Sequence, residues 1–150
     1  MPTNLNFFDT YRKTLADPAR AAAVAGTLKV AIFLAFTPNQ NTNQFYGDLV
    51  PATNEVVGTN YTARGNAAAT PTWTMNASGV ITFSATNPAI WLQNAAGFSL
   101  GRRAILYYDT GVDTTSGLVG YSDDFGANSG NVAGDFSVAF NASGVYTSIR

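Results

Sequence analysis

The residue types that could carry chemistry are restricted in this 150-residue chain, which has nine carboxylates, eight basic side chains and seven tyrosines, but no histidine or cysteine. The absence of histidine excludes Ser-His and Cys-His catalysis, and the absence of cysteine excludes thiolate nucleophiles and thiolate metal ligands. A glycosidase needs two carboxylates that face each other across the scissile bond. The adjacent pair Asp123 and Asp124 would instead point to opposite faces of a strand. The sequence therefore predicts a protein that is not an enzyme and needs no cofactor.

One segment, residues 123–131, is rich in oxygen ligands. Asp123, Asp124 and Asn128 are candidates for a calcium site, because calcium takes carboxylate, amide and backbone oxygens. The EF-hand pattern is absent, and no glutamate closes the segment. The sequence favours a solvated loop that uses glycine and asparagine for its turns, with calcium binding as the alternative.

Charge is scarce in the sequence. Charged residues make up 11% of the chain and the formal net charge is −1, whereas typical globular domains carry about 25% charged residues. No basic field is available to bind phosphates, so nucleic acid is excluded as a partner. No apolar run is long enough to span a membrane, and no membrane-surface role is supported. A surface depleted of charge fits one that is covered by other subunits.

The first 26 residues are predicted to be a helical arm. Phe7, Tyr11 and Leu15 recur at helical spacing, with Phe8 on the adjoining position. Asp17 and Pro18 predict a break and a second short helix, which would stop at Gly26. The pattern divides the chain into an arm at 1–26 and a β domain at 27–150.

The remainder of the chain is typical of an all-β domain. From Leu28 to Leu34 both alternating positions are mostly apolar, which predicts a strand buried inside the stack of sheets. Asn76–Gly79 and Asn141–Gly144 have the chemistry of hairpin turns. Further strands are predicted at Thr72–Met75, Val80–Ser84, Ala89–Leu92, Arg103–Tyr108, Leu118–Tyr121, Phe136–Phe140 and Val145–Ile149. Eight or nine short strands predict an antiparallel β-sandwich or a jelly-roll-like barrel with an N-terminal helical segment.

Aromatic side chains in loop-like segments are candidates for an interface, because they bury a large area at low entropic cost. The arm offers a second set, whose stripe would dock in a neighbour's groove or cover one end of its own domain. Together the interface candidates are Phe7, Phe8, Tyr11, Leu15, Phe45, Tyr46 and Phe125.

Several segments also follow one another in a familiar order. They are Leu28–Ala31, Phe36–Gln40, Asn54–Val56, Gly58–Ala63, Ala104–Gly111, Leu118–Tyr121 and Phe136–Val138. In these segments, from Leu28 to its end, the chain resembles a family of small β-rich virion structural proteins of tailed bacteriophages. It departs from that pattern after the Tyr-Thr-Ala segment, where Arg64-Gly65 replaces a Gly-Gly pair.

The resemblance implies a non-enzymatic virion protein, of which a capsid decoration or cement protein is the leading form. It implies the major capsid protein or other virion subunits as partners, and a homo-oligomer such as a trimer. A neck, collar or tail component is the alternative. A receptor- or carbohydrate-binding module is a further alternative, to which the region from Tyr121 to Asn131 fits loosely.

Overall fold

The protein is mainly β, with very little helix. A computed structural model describes residues 5–8, 26–75, 77, 81–141 and 146–148. The only helices in these ranges are one 3₁₀ turn, Tyr46–Leu49, and one α-helical turn, Pro51–Asn54. The strands are β1 (Leu5–Phe7), β2 (Thr27–Phe33), β3 (Asn66–Ala67), β4 (Thr72–Met75), β5 (Ile81–Ser84), β6 (Arg103–Asp109), β7 (Leu118–Ser122) and β8 (Tyr146–Ser148).

The strands form two antiparallel sheets. The larger has the order β1-β7-β6-β2-β3 and the smaller has the order β4-β5-β8. The longest pairing joins β2 to β6, from Thr27 opposite Asp109 to Phe33 opposite Arg103. Met75 pairs with Ile81 across the predicted Asn76–Gly79 turn, which confirms that β4 and β5 are a hairpin. Within the described ranges neither sheet closes into a barrel, and no helix is long and apolar enough to cross a bilayer.

The larger sheet is covered on both faces, as the apolar pattern of β2 predicts. Alternating residues of β2 enter two different buried clusters. One cluster holds Leu28, Val30, Ile32, Val56, Ala68, Phe83, Trp91, Phe98, Ala104, Leu106, Val119 and Val138. The other holds Phe8, Ala31, Phe33, Tyr46, Leu49, Ile105, Tyr107, Leu118 and Tyr121. The sheet is therefore a central layer, and loops attach to it from both sides.

The helical prediction for the N-terminus is wrong where the structure describes it. Leu5–Phe7 is a strand that pairs with β7, with Asn6 opposite Tyr121. The open edge of β7 offers backbone hydrogen bonds to Leu5–Phe7. Pairing with this edge overrides the weak helical preference of the segment. Residues 9–25, which hold the rest of the predicted helices, lie outside the described residues.

Two other predicted strands, Ala89–Leu92 and Phe136–Phe140, are reduced to isolated bridges, of which one joins Trp91 to Phe136. Trp91 and Phe136 exchange both backbone hydrogen bonds, each at 2.9 Å. The apolar residues that suggested strands here are used for aromatic packing, since the Trp91 and Phe136 ring centroids are 5.7 Å apart. These segments are therefore loops that hold a ring cluster against the larger sheet.

Candidate functional site

The densest group of charged side chains lies where β6 ends, at Asp109. Arg64 donates from Nε and Nη2 to Asp109 Oδ1, at 2.9 and 2.6 Å, and Lys29 Nζ lies 2.8 Å from Oδ2. Arg64 also pairs with Asp113 and donates to the Ser116 hydroxyl at 2.9 Å. Burial alone would raise the pKa of Asp109, but the hydrogen bonds from Arg64 and Lys29 outweigh it and hold the pKa well below its usual range.

A partly buried carboxylate, that of Glu55, extends this group towards the edge of β2. Glu55 Oε1 accepts hydrogen bonds from the Tyr61 hydroxyl at 2.7 Å and from the Arg64 backbone N–H at 2.6 Å. The Tyr61 hydroxyl in turn accepts a hydrogen bond from the backbone N–H of Ile32 at 2.9 Å. Burial raises the pKa of Glu55 despite these donors. Burial and the neighbouring Glu55 raise the pKa of Tyr61 as well, so the phenol stays protonated and donates.

Two more tyrosines complete the group. Tyr107 donates its hydroxyl to the Arg64 carbonyl at 2.7 Å, and its ring stacks on Tyr46 with centroids 4.3 Å apart. The Arg64 guanidinium carbon lies 5.1 Å from the centroid of the Tyr46 ring, which adds a cation–π contact. We call the whole set the Asp109 network; it comprises Lys29, Tyr46, Glu55, Tyr61, Arg64, Tyr107, Asp109, Asp113 and Ser116.

Most polar groups of the Asp109 network bond within the protein. Its charged side chains and the hydroxyls of Tyr61 and Tyr107 bond to one another and to backbone atoms, whereas the buried Tyr46 hydroxyl has no hydrogen-bond partner. None of the network residues lines the pocket described below. In the part of the chain that the structure describes, no three acidic side chains are grouped so that they could hold a metal ion. The network fixes the loop 58–65 to β2 and β6.

A second concentration of polar bonds surrounds Asn131, which is fully buried. Its Nδ2 donates to the carbonyls of Leu92 at 2.8 Å and Thr59 at 3.2 Å, and its Oδ1 accepts from the Phe98 N–H at 2.9 Å. One amide therefore ties three loops together. The bond with the Phe98 N–H is fully buried, so both of its groups need their partner, and the two bonds to carbonyls are partly buried.

We expect Asn131→Ala to destabilise the fold by about 2 kcal/mol, because it leaves the Phe98 N–H and the Thr59 carbonyl without this partner and removes one of the two amides that donate to the Leu92 carbonyl. Urea unfolding would measure the change. Asn128→Ala is the matched control, since Asn128 is exposed on the same loop. Equal stability of the two variants would show that Asn131 does not hold the loops.

A surface pocket of about 490 Å³ opens beside these loops. Its apolar lining includes the rings of Phe98, Phe125 and Phe136, which form one chain of ring contacts at 5.3 and 6.1 Å. Its polar lining includes Asn128, Ser129, Asp135 and Ser137. Asp135 Oδ1 already accepts the Gln93 N–H at 2.7 Å. Rings beside a polar rim of amide, hydroxyl and carboxylate groups are common in small-molecule sites.

The structure separates the interface candidates into three groups. Phe8 and Tyr46 are not available as anchors, because both are buried in the protein's own core. Phe45 is 38% exposed, and Phe125 is half-buried at the pocket. The side chain of Phe7, together with Tyr11 and Leu15, lies outside the described residues.

Two of the three calcium candidates, Asp123 and Asp124, already have other partners, and Asn128 lines the pocket. Asp124 Oδ1 accepts from Arg102 Nε at 2.7 Å and from the Gly126 N–H at 2.8 Å, and its pKa is lowered by the hydrogen bond from Arg102. Asp123 Oδ1 accepts from the Asn6 amide at 2.8 Å. This arrangement supports the solvated-loop interpretation, with the carboxylates as loop caps and ion-pair partners.

Sequence reasoning did not predict these roles of Arg64 and Asn131, although both residues lie in segments that it examined. The sequence does contain a cue to the ion pairs of Arg64, because this residue is an isolated charge in a loop of small residues. Asn131 gave no such signal, since loops commonly contain exposed asparagine. The match between its amide and three loops arises only after folding.

Comparison with known proteins finds no matching family model, no matching curated protein and no matching solved structure. Fold and site together define a mainly β protein whose described charged groups are bonded within the chain.

Proposed function

We propose that this chain is a non-enzymatic structural protein of a tailed-bacteriophage virion, most specifically a capsid decoration or cement protein. One observation carries the proposal. The segments that resemble the phage family, among them Asn54–Val56, Gly58–Ala63 and Ala104–Gly111, meet in the Asp109 network. That network ties the scaffold together, as the framework of a structural protein requires.

The proposed mechanism is repeated contact. A decoration protein sits on the shell in many copies and bridges neighbouring subunits, so individually weak contacts add through multivalency. The major capsid protein or other virion subunits are the proposed partners, together with further copies of the same chain. The virion is the proposed location.

The finer description of the fold belongs to the same proposal. Phe83 of β5 lies in the same buried cluster as Leu106 of β6, so the smaller sheet packs towards one face of the larger one. This contact supports an antiparallel β-sandwich of jelly-roll type.

A receptor- or carbohydrate-binding module is the second candidate function. The pocket favours it, because the partly exposed rings of Phe125 and Phe136 lie beside Asn128 and Asp135. A sugar would place an apolar face on the rings and its hydroxyls on the polar rim. A neck, collar or tail component would use the same fold in fewer copies.

Quantitative mass spectrometry of purified virions tests the proposal. We expect about one copy of this chain per major capsid protein if it decorates the whole shell. A ratio of a few per cent would move it to the neck, collar or tail. Absence from the particles would overturn the virion proposal and favour the binding module.

A further inference from the structure

The polar groups that line the pocket differ from those of the Asp109 network, because most of them have no partner in the described part of the protein. The exposed side chains of Ser99, Asn128 and Ser137 make no hydrogen bond to any described residue. Asp135 uses Oδ1 to accept the Gln93 N–H, whereas its Oδ2 accepts no bond from the described residues. A ligand can therefore bond to the rim of the pocket without breaking a hydrogen bond between described residues.

The walls of the pocket are fixed by backbone hydrogen bonds. Gly101 and Ser129 exchange both of theirs, at 2.8 and 2.9 Å, and the Asn131 N–H donates to the Phe98 carbonyl at 3.0 Å. An added Cβ at Gly130 would overlap that same carbonyl, so the two segments are in direct contact. Because the cavity is formed before a ligand arrives, little conformational entropy is lost on binding.

Part of the pocket lining is aromatic. Phe125 and Phe136 are both half-buried, with ring centroids 6.1 Å apart, and Phe136 also contacts the buried ring of Phe98 at 5.3 Å. The backbone N–H of Phe125 donates to the Arg102 carbonyl at 2.8 Å, which holds the segment that carries this ring. Two partly exposed rings thus give the pocket a firm apolar surface beside its polar rim.

The two kinds of lining suit a ligand that has two kinds of surface. A pyranose sugar carries C–H groups on the faces of its ring and hydroxyls around its edge. Each hydroxyl both donates and accepts hydrogen bonds, as do the Asn128 amide and the hydroxyls of Ser99 and Ser137. An organic cation would bond only to acceptors, so the amide and hydroxyl donors of the rim would have no partner in it. The mixture of donors and acceptors therefore favours the sugar.

The charge of the lining narrows the class of sugar. Among the described residues that line the pocket, Asp135 is the only one that carries a charge. Its carboxylate accepts strong hydrogen bonds from hydroxyls, but it repels a second carboxylate, a sulfate or a phosphate. None of these lining residues is a lysine or an arginine that could offset the repulsion. The lining thus disfavours acidic sugars.

We propose that the pocket binds a non-acidic pyranose, with Phe125 and Phe136 against its apolar face and Asn128 and Asp135 bonded to its hydroxyls. This goes beyond the structural role of the chain. It deepens the second candidate function and rests on it, because it assigns the ligand class and the contact residues of that binding module. The position of the chain on a particle does not enter the argument.

Titration of the full chain with single sugars, followed through its backbone amide NMR signals, tests the site. We expect at least one of glucose, galactose, mannose and N-acetylglucosamine to shift the amides of residues 98–99 and 125–138 in a saturable way. Asn128→Ala should weaken this binding by about threefold to tenfold, the contribution of one hydrogen bond. Asn41→Ala is the matched control, since Asn41 is also exposed but does not line the pocket. Absence of saturable shifts with all four sugars, or equal binding by the two variants, would overturn the proposal.

Asp135→Asn tests the selection by charge. Asparagine keeps an oxygen for the Gln93 N–H, so the loop keeps this bond while the charge is removed. The natural chain should bind a neutral hexose about fivefold or more tightly than the corresponding uronic acid, and the variant should reduce that ratio. If the natural chain bound the uronic acid as tightly as the hexose, the non-acidic assignment would be wrong.

Choline is the probe for the competing class of ligand, an organic cation. Saturable shifts of the same amides with choline, and none with any of the four sugars, would identify a cation site and contradict the proposal. The virion measurement is independent of these titrations. A chain that is found in particles but binds no sugar would leave the leading proposed function standing, and a chain that binds sugar but is absent from particles would leave the binding module standing.

Discussion

Replacing Gly65 with alanine should destabilise the fold by about 3 kcal/mol or more. Gly65 has a φ of +71°, and a Cβ at this position would overlap the carbonyl oxygen of Val30 in β2. The overlap is with backbone, so no side chain can rotate to relieve it. Either the loop 58–65 must move away from β2, or β2 must shift within the sheet. Both responses break contacts of the Asp109 network.

Gly111→Ala provides the matched control for this prediction. Gly111 also has a positive φ, of +85°, but nothing lies within 4 Å of an added Cβ. Its replacement should cost about 1 kcal/mol, which is the backbone strain alone. The difference between the two variants in urea unfolding then measures the overlap. Equal losses would show that the packing of Gly65 on β2 contributes nothing.

Asp109→Ala should destabilise the protein by about 3 kcal/mol at neutral pH, because it leaves two cations without their shared partner. Asp109 is only 7% exposed, and both Arg64 and Lys29 depend on it. The same carboxylate also accepts the Gly111 N–H at 2.9 Å. Asp124→Ala is the control, since Asp124 and Arg102 form a solvent-exposed pair whose loss should change stability little. Similar effects of the two replacements in urea unfolding would contradict the prediction.

The contribution of Asp109 can also be tested through the pH dependence of the free energy of unfolding. Its pKa in the folded protein is lowered, so its contribution to stability is present above the unfolded pKa of about 3.9 and is lost as the pH falls towards the folded pKa. Glu55 has a raised pKa and acts in the opposite direction, because the folded state takes up its proton first as the pH falls. We therefore expect the stability difference between the natural chain and Asp109→Asn to shrink below about pH 4. A difference that is constant from pH 7 to pH 3 would contradict this.

The sequence predicts best those strands whose hydrophobic or turn pattern is compatible with only one local structure. In β2 both alternating positions are apolar, and only a central strand can bury both. The Asn76–Gly79 turn lies between two β-rich runs, which leaves a hairpin as the simplest pairing. Leu5–Phe7 is different, because a short aromatic segment fits a helix or a strand equally well. Leu5–Phe7 becomes a strand because it pairs with the free edge of β7, and that edge exists only in the folded protein.

The candidate site was less predictable than the fold because it depends on contacts distant in sequence. Arg64 has a φ of +76°, a conformation that favours glycine. Its ion pairs with Asp109 and Asp113 offset that strain. Arg64 and Asp109 are 45 residues apart in the sequence, so no local sequence pattern predicts their ion pair. Tyr46 and Phe8 failed as surface anchors for the same reason, since loop aromatics bury themselves when a sheet face is near.

The outer edge of β2 has a consequence for a protein that carries so little charge. Ala68 and Val56 donate to the Leu28 and Ile32 carbonyls, at 2.9 and 3.0 Å, and the Tyr61 hydroxyl occupies the Ile32 N–H. Short irregular segments thus satisfy an edge that could otherwise template another strand. A phenol and two loop N–H groups therefore cap this side of β2, where surface charge commonly blunts an exposed edge in other β proteins.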